Sequence, residues 1–193
     1  MESCAVFLDA GYIENVINKE YPGTKVDFYK LAREMAEPDN FLRCYYYNCL
    51  PYMSESPTDE ERDSYNRKRR FVDALTYLPR FEVRLGRLHR GYDSMDRPFH
   101  YQKMVDIMLC TDMLGLSIKG RVSSVAVFTG DSDCVPAIEA VKREGVTVRL
   151  WHGNKEKGAS SPPSSELYRL CDERYDVASI MNLIQRPEAV LVS

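Results

Sequence analysis

No apolar run in this chain approaches the roughly 18 residues that cross a membrane, and Met-Glu-Ser-Cys at the start lacks a basic stretch followed by an apolar one. Both absences lead us to expect a soluble, cytoplasmic domain. Cysteine is present but unpaired in pattern: Cys4, Cys44, Cys49, Cys110, Cys134 and Cys171 stand singly, with no C-x-x-C. That excludes a disulfide framework and a zinc ribbon, and it fits a reducing compartment in which these thiols act as small hydrophobes. His89, His100 and His152 follow no ligand spacing. Neither Gly-x-x-x-x-Gly-Lys-Ser/Thr nor Gly-x-Gly-x-x-Gly occurs, which removes the P-loop and dinucleotide readings. A net charge of −3 excludes a polycation.

The 193 residues suit a single domain, here expected over 1–186 with 187–193 as a tail. Apolar strand-like runs fall at Cys4–Leu8, Phe41–Tyr47, Phe81–Leu88, Ser124–Thr129 and Thr147–Trp151. Helical segments alternate with them: 10–20, 26–36, 58–78, 101–118, 135–144 and 166–171. Strands alternating with helices predict a mostly parallel sheet of about five strands covered on both faces, with every strand's carboxyl end on one edge. Gly153–Ser165, with its Ser-Ser-Pro-Pro-Ser-Ser run, reads as a mobile loop.

The most informative stretch is Val125-Ala-Val-Phe-Thr-Gly-Asp-Ser-Asp133, a strand that ends on two carboxylates. Cys4-Ala-Val-Phe-Leu8 ends in the same way on Asp9. Each acid alone is explained by helix capping, since Asp at a helix start satisfies free backbone donors. Capping needs one acid, however, and Asp131 and Asp133 supply two. Asp106 stands in the apolar stretch Met104–Cys110, where an unpaired charge is costly. Asp112 lies six residues on, about 240° around a helix, and so belongs at most to the margin of the same site. Lys103 is placed to pair with Asp106 or to touch a phosphate. Clustered carboxylates repel unless a cation joins them. A hard divalent metal bound by oxygen resolves that, and it brings phosphate chemistry.

Between Arg62 and Lys103 basic residues dominate, among them Arg67-Lys-Arg-Arg70, Arg84, Arg87, Arg90 and Arg97. A locally basic face on an acidic protein attracts a polyanion, although solvated helix and loop surfaces have the same composition. A phosphatase of the haloacid-dehalogenase type needs a second Asp two residues after the first, and Asp9-Ala-Gly11 has none.

Taken together and in order, several segments resemble the NYN domain family, the PIN-like nucleases related to LabA-type proteins. They are Val6-Phe-Leu-Asp9-Ala-Gly-Tyr12 with Asn15, Arg43-Cys-Tyr-Tyr-Tyr47, Phe71-Val-Asp-Ala-Leu75 and Phe81–Arg87. Gln102-Lys-Met-Val-Asp106, Thr129-Gly-Asp131-Ser-Asp133 and the stretch from Ser165 to Tyr175 complete the set. The resemblance implies a PIN-like three-layer α/β sandwich and a metal-dependent endoribonuclease. It implies Mg²⁺ or Mn²⁺ held by Asp9, Asp106 and Asp131, with Asp133 in support and Asp112 at the margin, and products with 5′-phosphate and 3′-hydroxyl ends. Two positions depart from the family pattern: Ala10 replaces the usual Asn, and Met104 the usual Gly. Arg84, Arg87 and Lys103 are the expected phosphate contacts, and Tyr12 and Tyr92 are placed to stack on bases. The expected partner is single-stranded or structured RNA, and the composition permits a homodimer. The alternative is a non-catalytic NYN module that binds RNA or a protein.

Overall fold

Side chains along a strand alternate between faces, and in β1 (Ser3–Asp9) both faces are buried. Cys4, Val6 and Leu8 enter one core, whereas Ala5 and Phe7 enter a second core on the other side. The same division recurs in β2 (Asn40–Asn48), with Cys44 and Tyr46 opposed to Tyr45 and Tyr47. A strand buried on both faces must be apolar throughout, which is why these runs were legible in the sequence. The computed structural model describes residues 2–156, 159 and 161–186, so the expected tail at 187–193 lies outside the described residues.

The chain continues through α1 (Ala10–Glu20) and α2 (Phe28–Ala36) to β2, then through α3 (Asp59–Thr76) to β3 (Phe81–Leu85). A hairpin of β4 (Arg87–Tyr92) and β5 (Pro98–Lys103) leads into α4 (Val105–Ile118) and β6 (Ser124–Phe128). A 3-10 turn at Ser132–Cys134 precedes α5 (Val135–Arg143), β7 (Thr147–His152), α6 (Ser165–Leu170), β8 (Glu173–Asp176) and α7 (Met181–Ile184). The central sheet has six strands in the order β3-β2-β1-β6-β7-β8, and every neighbouring pair is parallel.

Strand addition runs outward from β1 to β3, then returns to the other side of β1 with β6. Right-handed crossovers therefore send the earlier and later helices to opposite faces. Ile13, Leu31 and Leu75 from α1, α2 and α3 pack in one core, and Leu109, Ile138 and Leu167 from α4, α5 and α6 in the other. The α/β class, the parallel sheet and its cover of helices on both faces are as expected. Among the described residues no helix is long and apolar enough to cross a membrane.

Three local expectations are corrected. The sheet has a sixth strand, β8, whose sequence Glu-Arg-Tyr-Asp carries no apolar run because it is a short edge strand. The expected strand over Phe81–Leu88 breaks at Gly86. The Gly86 N–H still donates to the Asn48 carbonyl at 2.8 Å. A Cβ there, however, would lie 2.5 Å from the Lys103 carbonyl oxygen and 2.7 Å from a Val105 methyl, because the returning hairpin crosses at this point. Tyr101 to Lys103, expected as helix, is strand for the same reason: it pairs antiparallel with Arg87 to His89.

The amino-terminal edge of the sheet is held by a buried cation that the sequence did not flag. Arg149 in β7 pairs with Asp39 at 3.0 Å and with Glu173 at 2.9 Å. Its guanidinium also donates to the Ala36 carbonyl at the end of α2, at 3.1 Å. Replacing Arg149 with Met leaves Asp39 buried without its cation and should cost about 3–5 kcal/mol of folding free energy in urea titration. A loss under about 1 kcal/mol would show that this network does not hold the edge.

Candidate active site

β1 and β6 lie side by side but send their chains to opposite faces of the sheet, which opens a crevice at their carboxyl ends. Asp9 closes β1 and caps α1, accepting the Tyr12 N–H on Oδ1 at 3.2 Å. Asp131 follows β6 and caps the 3-10 turn, accepting the Asp133 N–H on Oδ1 at 2.9 Å. Both acids therefore do the capping that sequence reasoning offered as the alternative. That work occupies only one oxygen of each.

Thr129, buried between them, links the two acids. Its hydroxyl donates to Asp9 Oδ2 at 3.0 Å and lies 3.3 Å from the Asp131 N–H, which donates to it. Its role was not read from the sequence, although its place between an apolar strand and the Gly-Asp pair was the available signal. Asp106 enters from the first turn of α4. The amino ends of α1, α4 and α5 thus approach one edge, and their dipoles favour negative charge there.

Burial pushes the Asp9 carboxyl up to about 6; the Tyr12 and Thr129 hydrogen bonds oppose that rise, and the Asp106 charge adds to it. Asp106 is raised as well, first by burial and then by repulsion from Asp131 and Asp133. The four acids therefore sense one another. Among the described residues none of them has a basic partner within salt-bridge distance, whereas Glu14, Asp39, Asp112, Asp172 and Glu173 each have one. Asp131 Oδ2 and the Asp133 carboxylate accept no hydrogen bond among the described residues.

Asp112 is engaged elsewhere. It accepts from the Tyr47 hydroxyl at 3.0 Å and lies 3.2 Å from Arg84 Nε. Arg84 also pairs with Glu82 at 2.9 Å. Two expected site residues are thus committed to each other. Arg87 and Lys103 are exposed and pair with no carboxylate among the described residues, so the expected Lys103–Asp106 bridge is not formed. The Tyr12 hydroxyl donates to the Ser161 carbonyl at 2.9 Å, and Asn15 Nδ2 to Ser161 Oγ at 2.7 Å. Tyr12 is therefore a packed wall, and the loop expected to be mobile is tied down at Ser161. The Tyr92 side chain lies outside the described ones. Gly130 is required for space: a Cβ would sit 2.3 Å from the Tyr12 ring.

The acids border two shallow clefts. One of about 470 Å³ contains Asp9, Asp131, Tyr12 and Asn15, and another of about 440 Å³ contains Asp106, Asp133, Lys103 and Met104. A larger cleft of about 790 Å³ lies over the end of β2, lined by Glu14, Asn48, Arg67 and Lys68. Glu14, unremarked in the sequence, accepts there from the Tyr46 hydroxyl and Asn48 and is neutralised by Lys68.

The NYN domain family matches residues 3–178. The chain belongs to the NYN domain family. NYN domains are nuclease-like members of the PIN superfamily. A crystal structure of a protein of unknown function from Vibrio parahaemolyticus has the same fold, with TM-score 0.61 and 17% identity over 91% of this chain and 93% of that one. No curated protein matches. Against the family pattern, Met104 now has a conformational reading. At φ 76° it occupies the left-handed region that favours glycine, immediately before α4 of this NYN domain.

Among the described residues no group of three or more His, Cys, Asp or Glu side chains is placed to hold a metal ion. Mg²⁺ and Mn²⁺ do not require one. Mg²⁺ keeps several waters and takes one or two carboxylates, so acids without cations on a shared rim fit a hard ion by their donor chemistry. Two consequences are measurable on the metal-free NYN domain. Folding raises the Asp9 pKa, so its contribution to stability is present below pH 4 and is lost as pH rises through about 6. Asp9→Asn should therefore be more stable than wild type at pH 7 in EDTA, by of order 3 kcal/mol, with the difference vanishing near pH 4. Equal stability at both pH values would remove the buried charge from this account. Met104→Gly should gain about 1 kcal/mol in the same urea titration by relieving the left-handed backbone. A net loss would mean that the Met104 side chain contributes more than its conformation costs.

Proposed function

We propose that this NYN domain is a metal-dependent endoribonuclease. The observation that carries the reading is the set of four carboxylates, Asp9, Asp106, Asp131 and Asp133, at the carboxyl edge of the sheet with no basic partner among the described residues, close enough that burial and mutual repulsion raise Asp9 and Asp106. Asp9, Asp106 and Asp131 would hold Mg²⁺ or Mn²⁺, with Asp133 beside them. The ion supplies, when bound, Lewis acidity toward a phosphodiester oxygen and a water of lowered pKa.

The chain's own groups divide the remaining work. The Thr129 hydroxyl fixes Asp9 Oδ2 and, through the Asp131 N–H, the spacing of the two acids. Tyr12, pinned at Ser161 and packed edge-on against Phe128 at 5.9 Å, forms a fixed wall of the cleft beside Asp9. Arg87 and Lys103, unpaired among the described acids, are available to a phosphate backbone. Arg84, already shared between Glu82 and Asp112, is the weaker candidate.

The absence of a preformed cage favours one other reading, a non-catalytic module that binds RNA. The two separate in one experiment. Labelled single-stranded RNA incubated with the full chain and Mn²⁺ should be cut, remain intact in EDTA, and remain intact with Asp131→Asn. Thr129→Val, which keeps every acid, should slow cleavage about 10- to 100-fold, the usual effect of removing a group that orients metal ligands. RNA that is shifted on a gel but never cut would replace the nuclease with the binding module.

A further inference from the structure

The β4–β5 hairpin projects a face that the acids do not explain. Register pairs Arg87 with Lys103, His89 with Tyr101 and Gly91 with Phe99, and strand alternation puts all six on one side. Two cations, three rings and a glycine share that surface, with no acid among them. Phe99 is 47% and Tyr101 38% exposed. Their ring centroids are 5.7 Å apart, Tyr101 stacks on His89 at 5.9 Å, and Lys103 Nζ lies 5.4 Å from the Tyr101 centroid. The opposite side is the anchored one: Leu88 packs against the core, and Arg90 lies over the Tyr52 ring.

Cross-strand packing accounts for Tyr101 opposite His89. It does not account for Phe99, whose partner is a glycine. A Cβ on Gly91 would lie 2.9 Å from the Phe99 ring and 3.2 Å from the Tyr101 ring, so Phe99 lies over bare backbone while about half of it stays in solvent. From Phe99 to Lys103 the ribbon runs about 13 Å at 3.3 Å per residue. Lys103 then lines the same cleft as Asp106 and Asp133. The row of rings therefore ends at the acids.

We propose that this face of the hairpin is a single-stranded RNA platform, with bases stacking on Phe99 and Tyr101 and phosphates held by Arg87 and Lys103, aligned to lead the strand into the acidic cleft. The choice of RNA rests on the nuclease reading. Exposed aromatics interleaved with cations, free of acids, match the two surfaces of a single strand: every base has a π-face, and every linkage a negative charge. The stacking is tolerant of sequence, so the platform holds the strand without choosing where it is cut.

The test measures binding apart from cleavage, by fluorescence anisotropy of a labelled 12-nucleotide oligouridylate with the full chain in EDTA. Phe99→Ala and Tyr101→Ala should each weaken binding roughly 5- to 100-fold. Arg87→Gln and Lys103→Gln should each reduce the slope of log affinity against log salt by about 0.7. Tyr77→Ala, which removes an aromatic 87% exposed at the end of α3, should bind as wild type. Phe99→Leu and Tyr101→Leu keep an apolar surface and the hairpin but lose the rings, and they should bind no better than the alanine variants. Binding indifferent to the rings, or restored by leucine, overturns the platform even if Mn²⁺-dependent cleavage is found. No binding by the wild type overturns it too. Ring-dependent binding without any cleavage would sustain the platform and remove the nuclease.

Discussion

β1 and β6 are neighbours because the chain reverses the direction in which it adds strands, and the fold's chemistry is concentrated at that seam. Right-handed crossovers oblige the earlier helices to cover one face and the later ones the other. The two central strands consequently part at their carboxyl ends, and no helix can close the gap between them. Asp9 and Thr129-Gly-Asp131 are the residues that this geometry delivers to the crevice. Tyr12 fits beside them only because Gly130 has no side chain to meet its ring.

Charge is treated oppositely at the two edges of the sheet. At the amino edge Arg149 gathers Asp39, Glu173 and the carbonyl end of α2, and Ser124 donates a further hydrogen bond to Asp39. That assembly is neutralised and serves the fold. At the carboxyl edge the acids have helix amino ends, a threonine hydroxyl and backbone donors, but no cation among the described residues. Such partners keep part of the charge ionised while leaving repulsion between Asp106 and its neighbours. Repulsion of this kind is a cost to folding that a bound cation would relieve.

The hairpin between β3 and α4 extends that edge outward. Its crossing over Gly86 brings Lys103 next to the first turn of α4, and Met104 makes the connection in a left-handed conformation. The acid on α4 and the cation on β5 are thereby placed by one three-residue junction.

Strand identity, the parallel sheet and the order of the acidic motifs were legible in the chain because strands buried on both faces must be apolar, and a carboxylate at the end of such a run stands out. Asp9, Asp131 and Asp133 were visible on those grounds, and Asp106 by its apolar surroundings. The chain alone did not reveal β8, whose four residues sit on an edge and need no apolar pattern, nor the hairpin, whose rings face solvent and so carry no burial signal. Helix geometry set Asp112 at the margin, but the chain alone did not tie Tyr47 and Arg84 to it, since those partners come from α4, β2 and β3 and are far apart in sequence. Local burial writes itself into a sequence as pattern. Pairings between distant elements leave no such pattern, and tertiary structure alone decided which acids kept a cation and which were left to share a crevice.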